Sequence, residues 1–106
     1  MRQETMRFME KIGYRFRNPA LLENALTHSS YANEGHHGME SNERLEFLGD
    51  SVLGFVTAGY LFEKETGPEG MLTKLRAALV CEKALCSYAQ LLGLGAYLLL
   101  GKGEQR

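Results

Sequence analysis

Glu43, Glu46 and Asp50 place three carboxylates in one short stretch, Glu43-Arg44-Leu45-Glu46-Phe47-Leu48-Gly49-Asp50. Carboxylates so close together can hold a hard divalent cation or work as acid and base on a bound water. On an α-helix their spacing is i, i+3, i+7. At about 100° per residue they fall within about 60° of one another, in one narrow stripe. Like charges along a stripe repel, so something must offset them. Magnesium or manganese would do so, taking a few carboxylates and keeping several waters. Basic side chains from elsewhere in the fold would do so as well, and would leave an ordinary solvated acidic face. Arg44 projects about 100° from Glu43 and is a poor partner for the stripe. Acids in a first turn also suit the helix dipole, which accounts for Glu43 and Glu46 without any metal. Spacing alone leaves both readings open.

The element that carries the stripe is predicted to run from about 43 to about 65. Ser41 or Asn42 can cap its start, and Thr66-Gly67-Pro68 stops it. Leu45, Leu48, Val52, Phe55, Val56, Gly59 and Phe62 lie opposite the acids. Ser51, Gly54 and Ala58 form a stripe of small residues that would let another helix approach. Phe47, Leu53 and Leu61 interrupt the remaining surface. A helix apolar on most sides is normally buried, so the acids are not expected on a freely solvated face.

The other elements also read as helices. Met6, Met9 and Ile12 recur at helical spacing over residues 3–12, with Gly13 as the stop. Asn18-Pro19 is an N-cap followed by proline in the first turn, and that helix continues through Leu21, Leu22, Ala25 and Leu26. Residues 27–41 read mainly as loop. One further helix is predicted from about 70 to about 92, ending at Gly93 and Gly95. Residues 96–100, AYLLL, form a short apolar run of open type, and GKGEQR reads as the entry to a loop. No internal repeat and no useful β alternation occur.

At 106 residues the chain is one small domain at most, and 44% hydrophobic residues give it a modest core that a second subunit could extend. The net charge of −1 excludes a generic polyanion binder, so any nucleic-acid contact must be local. No apolar run is expected to reach membrane-span length, and the N-terminus lacks the apolar stretch of a signal peptide. Cys81 and Cys86 are expected as small, buried or half-buried thiols on different helix faces in a reducing cytosol. The cytoplasm is the expected location.

The stretch Asn42-Glu43-Arg44-Leu45-Glu46-Phe47-Leu48-Gly49-Asp50-Ser51 closely resembles the signature of the ribonuclease III family, the double-stranded-RNA endonucleases. Ala25-Leu26-Thr27-His28-Ser29-Ser30-Tyr31 is similar to the segment before that signature. Glu69-Gly70-Met71-Leu72-Thr73, with Leu75-Arg76-Ala77-Ala78-Leu79-Val80, is similar to the segment after it. The resemblance covers essentially the whole chain. It implies an all-α endonuclease-domain bundle built around the helix at about 43–65 and working as a homodimer. By the same resemblance Glu46 and Asp50 are Mg²⁺ or Mn²⁺ ligands, and Glu43 and Glu69 help position the cleavage site or water. Metal-activated water would then cut double-stranded RNA, in rRNA and mRNA processing, and leave 5′-phosphates. Phe47, Leu48, Ser51 and Gly54 are the implied dimer contacts. No membrane and no small-molecule cofactor are implied.

The chain also departs from the family. The second acidic stretch, roughly Asp-x-x-Glu-Ala, does not occur, because Asp50 is the only aspartate. The usual double-stranded-RNA-binding domain is missing too. Residues 1–106 therefore read as a C-terminally truncated, partial endonuclease domain, inactive or impaired alone. A non-catalytic RNA-binding or dimerisation module of the same fold is the alternative. An unrelated all-α interaction protein with a solvated acidic face is a third reading.

Lys74, Arg76 and Lys83 are candidates for phosphate contacts. His28 is expected to make local hydrogen bonds rather than act as a base. His36 and His37 are expected to be exposed in a loop, Thr73 can cap or bond locally, and the five methionines are expected as core and interface filler.

Overall fold

The computed structural model describes residues 1–35 and 40–104. His36 and His37, named above, and Met39, one of the five methionines, lie outside the described residues. Among those described, six α-helices run in the order α1 (Gln3–Ile12), α2 (Pro19–Ala25), α3 (Ser29–Ala32), α4 (Glu43–Lys64), α5 (Glu69–Val80) and α6 (Glu82–Leu92). Two 3₁₀ turns follow, Leu94–Tyr97 and Lys102–Glu104. The architecture is all-α, as expected, with α4 as its long central element.

Local sequence accounts for the first elements. Gly13 ends α1 at φ 70°, and its N–H donates to the Glu10 carbonyl while that of Tyr14 donates to Met9. This paired closure requires a left-handed residue, which glycine supplies without a Cβ penalty. Asn18 caps α2 by accepting from the Ala20 N–H at 3.2 Å, with Pro19 in the first turn. The core forms where these helices meet. Phe8, Met9, Leu22 and Leu26 are buried, and Phe16, Leu94, Tyr97 and Leu98 pack against them. Each such side chain contributes roughly 1.5–3 kcal/mol of burial. Phe8 and Tyr97 meet ring to ring at 4.9 Å.

Polar groups tie this core to the chain ends. The Glu23 carboxylate accepts from the Arg2 N–H at 2.8 Å and from the Thr5 hydroxyl at 3.3 Å. AYLLL proves to be partly 3₁₀ and partly extended. Leu99 forms a parallel bridge with Thr27: its N–H donates to Leu26 at 2.8 Å, and its carbonyl accepts from His28 at 3.0 Å.

Several expectations are corrected. Residues 27–41 are not all loop, because His28 caps the short α3 by accepting from the Ser30 N–H at 3.1 Å. The histidine is thus a local structural residue, as expected. The single helix at about 70–92 is two. Cys81 is extended at φ −72°, ψ 162°, which ends α5 and starts α6. No glycine or proline marks this break, so helical periodicity runs straight through it. Both cysteines are exposed rather than buried, since neither α5 nor α6 is covered on their side. Of the methionines, Met9 is in the core, whereas Met1, Met6 and Met71 are exposed.

The largest correction concerns α4. It is mostly bare: Phe47, Leu48, Val52, Phe55, Val56, Tyr60 and Phe62 are all exposed, and Leu61 alone is buried. Its principal partner is α5, with α2 touching its start. By length and composition α4 could cross a membrane, with a mean hydropathy of 1.3. Glycines and a few polar residues interrupt its apolar run, so no unbroken apolar stretch marks it in the sequence. Its charges fall within residues 43–50 and at Glu63 and Lys64 in the last turn, and residues 51–62 between them carry none.

Candidate active site at the start of helix α4

The acidic stripe is set by how α4 begins. Asn42 holds the N-cap position, but its side chain does not cap the helix. It reaches back and donates to the Ala25 carbonyl at 3.0 Å, while its N–H donates to Thr27 at 2.8 Å. Asn24 completes the clamp by donating to the carbonyls of Glu40 at 2.8 Å and Ser41 at 3.0 Å. The Ser41 hydroxyl accepts from the Glu43 N–H at 3.4 Å. The end of α2 is thereby stitched to the first turn of α4, which fixes where the acids point. Replacing Asn42 with Ala is expected to cost about 1 kcal/mol of stability. It should also speed amide exchange over residues 43–46, and an unchanged urea midpoint with unchanged exchange would refute the clamp.

Glu43, Glu46 and Asp50 line one surface depression with Phe47, Gly49, Ser51, Leu53 and, from α6, Leu85. All three acids are exposed, contrary to the expectation of a shielded stripe. The contradiction has a simple cause: α5 packs along the C-terminal half of α4 and leaves its N-terminal half open. Among the described residues none of the three carboxylates has an ion-pair or hydrogen-bond partner. The counter-charges that a merely structural stripe would recruit are therefore not supplied by the described residues. The donor set is all oxygen and all anionic, which suits a hard divalent cation. Among the described residues no group of three or more His, Cys, Asp and Glu side chains converges to enclose an ion. The stripe accordingly fits a cation on one side only, as part of a coordination sphere.

Glu69 lies elsewhere. It opens α5 and lines an apolar groove with Phe55, Ala58, Phe62, Leu72 and Arg76. That groove flanks the far half of α4. Twelve residues separate Asp50 from Phe62, which corresponds to about 18 Å along the helix. Within one chain Glu69 is therefore not brought to the acidic stripe. Lys74, Arg76 and Lys83 are exposed, as are Phe47, Leu48 and Ser51, while Gly54 is half-buried with open space where a Cβ would stand. Leu85 was not singled out from the sequence. It follows a break that no residue type announces, so its place beside the acids had no sequence signal.

The sequence profile of the ribonuclease-III-like family matches residues 18–106, most of the chain. The chain belongs to the ribonuclease III family. It is 55% identical over 96 residues to ribonuclease 3 of Symbiobacterium thermophilum, covering 90% of this chain and 40% of that protein. It is 52% identical over 103 residues to ribonuclease 3 of Pseudothermotoga lettingae, covering 92% and 43%. The chain thus spans about two-fifths of the length of these curated relatives. Among solved structures, it resembles a nuclease domain of ribonuclease III from Campylobacter jejuni with a TM-score of 0.81 and 44% identity, covering 92% of this chain and 65% of that one. That structure is described as flexible in a region involved in dimer formation. A second structure of the same domain gives a TM-score of 0.80 at 39% identity, covering 97% and 67%. In both cases the matched structure extends beyond the part that this chain covers.

Proposed function

We propose that residues 1–106 form part of an endonuclease domain that cleaves double-stranded RNA and leaves 5′-phosphates. The observation that carries this reading is the set of three carboxylates, unpartnered among the described residues, that share one depression on the family's signature helix. Glu46 and Asp50 would hold Mg²⁺ or Mn²⁺. Such a cation supplies a more acidic water and positive charge against the phosphodiester. Glu43, one turn before Glu46, can accept a hydrogen bond from the attacking water and orient it. Leu53 and Leu85 give the depression an apolar wall. Lys74 and Arg76 are proposed phosphate contacts, as exposed cations on α5.

A second copy of the chain is the proposed partner for the bare face of α4, through Phe47, Leu48, Ser51 and Gly54. An antiparallel pairing would bring the far half of one α4, and Glu69 with it, toward the acids of the other. This reading gives Glu69 a role that its own chain cannot provide. The apolar face is read as covered by protein rather than lipid, because the same helix carries Glu46 and Asp50 in its first turns. Two exposed free thiols suit a reducing cytoplasm.

A non-catalytic RNA-binding or dimerisation module of the same fold is the second reading, favoured by the one-sided donor set. Cleavage of a perfect RNA duplex separates the two. Assayed with Mg²⁺, a chain extended through the remainder of the nuclease domain is expected to cut and the 106-residue chain to cut slowly or not at all. An extended chain that binds duplex without cutting it would establish the second reading.

A further inference from the structure

The break between α5 and α6 is unusual in lacking a residue that demands it. Ala77, Ala78, Leu79, Ala84 and Leu85 all favour an uninterrupted helix, and Val80, Cys81, Glu82 and Lys83 between them do not forbid one. Breaking the helix frees carbonyls at the end of α5 that continued helix would have satisfied. Side chains take two of them. The Tyr88 hydroxyl donates to the Leu79 carbonyl at 3.0 Å, and the Cys81 thiol donates to Ala78 at 3.5 Å. The tyrosine bond spans the break: its donor sits in the second turn of α6 and its acceptor in the last turn of α5. A hydroxyl in that place stabilises the bent arrangement and has no acceptor there in a straight helix.

The bend has a consequence for the acidic depression. α6 is carried by α5 on one side and by the 3₁₀ turn at Leu94–Tyr97 on the other, and that turn is anchored in the core. Gly93, left-handed at φ 61°, makes the second connection. α6 is therefore located by its two ends. From it, Leu85 alone enters the lining of the depression that holds Glu43, Glu46 and Asp50. Leu85 and Tyr88 are three residues apart, adjacent on one helix surface.

We infer that Tyr88 is a positioning residue: its hydroxyl locks the α5–α6 break and so holds Leu85 against the acidic depression, shaping the cation and RNA site from a distance. This inference rests on the proposed role of Glu46 and Asp50, and the experiment keeps the two apart. Manganese is titrated into the chain, and paramagnetic broadening of the amides of residues 43–51 reports its binding. Tyr88→Phe, which removes only the hydroxyl, is expected to weaken manganese binding about threefold, on the scale of one hydrogen bond, with unchanged helical content. Replacing Tyr88 with 4-aminophenylalanine, which keeps a donor at the same place, should restore it. The effect should also vanish in a Leu85→Ala background, since the inference has the tyrosine act through Leu85. Wild-type binding by Tyr88→Phe overturns the inference. So does an effect that adds in full to that of Leu85→Ala, or one that 4-aminophenylalanine does not restore. Loss of fold in Tyr88→Phe leaves the decision to the 4-aminophenylalanine variant, which must bind manganese as the unaltered chain does. Glu46→Gln distinguishes the foundations: if it too leaves binding unchanged, the cation site itself is refuted, whereas loss of binding there beside a silent Tyr88→Phe removes only the positioning role.

Discussion

Glu46→Gln, introduced into a chain that carries the whole nuclease domain, is expected to slow cleavage of an RNA duplex by about a thousandfold. The substitution keeps size and hydrogen-bonding capacity but removes the charge. If Glu46 is a cation ligand, the loss falls on the interaction that stabilises charge at the reacting phosphate. That interaction is worth several kcal/mol, or about three powers of ten in rate. Asp50→Asn should do the same, and the double substitution should be little worse than either, because ligands of one ion act as a unit. Duplex binding measured without metal should change little, or even tighten as negative charge is removed. The exposure of both side chains makes the control clean, since neither takes part in folding contacts that the change could disturb. Near-normal cleavage by either single variant would remove these residues from the chemistry.

The second large effect concerns the uncovered face of α4. Phe47, Phe55 and Phe62 are 82%, 79% and 72% exposed, far beyond what isolated surface aromatics require an explanation for. Leu48, Val52 and Val56 fill the surface around them. A continuous apolar face of this kind is costly in water and marks a covered surface. We expect the chain to self-associate, with Phe47→Asp raising the dissociation constant by more than about thirtyfold, the effect of losing one interfacial anchor. Sedimentation velocity over a concentration series reads this directly. A wild-type chain that stays monomeric throughout would refute the paired arrangement, as would a Phe47→Asp chain that associates equally well. Glu46→Gln should leave association unchanged, which separates the two roles of the same helix.

The elements legible in the sequence are those whose boundaries have a local chemical cause. Gly13 and Asn18-Pro19 close α1 and open α2 where their residue types require it. The limits of α4 fall within a residue of those expected. The Cys81 break was invisible because its cause is not local: the freed carbonyl of Leu79 is satisfied by Tyr88, nine residues on, and that pairing exists only once the chain has bent. Burial failed for a related reason. An apolar helix predicts that something covers it, but the sequence cannot state whether the cover comes from the same chain.

By itself, then, the sequence determined that Glu43, Glu46 and Asp50 share one stripe, because helical spacing is fixed by backbone geometry. It also determined the family, through a long unbroken signature. Tertiary structure alone decided that the stripe is open and, among the described residues, unpaired, that Leu85 completes its wall, and that Glu69 stands at the other end of α4. Those facts depend on which helix packs on which, and packing is set by contacts between residues distant in the chain. α5 packs on the far half of α4, and that one arrangement both exposes the acids and carries Glu69 away from them.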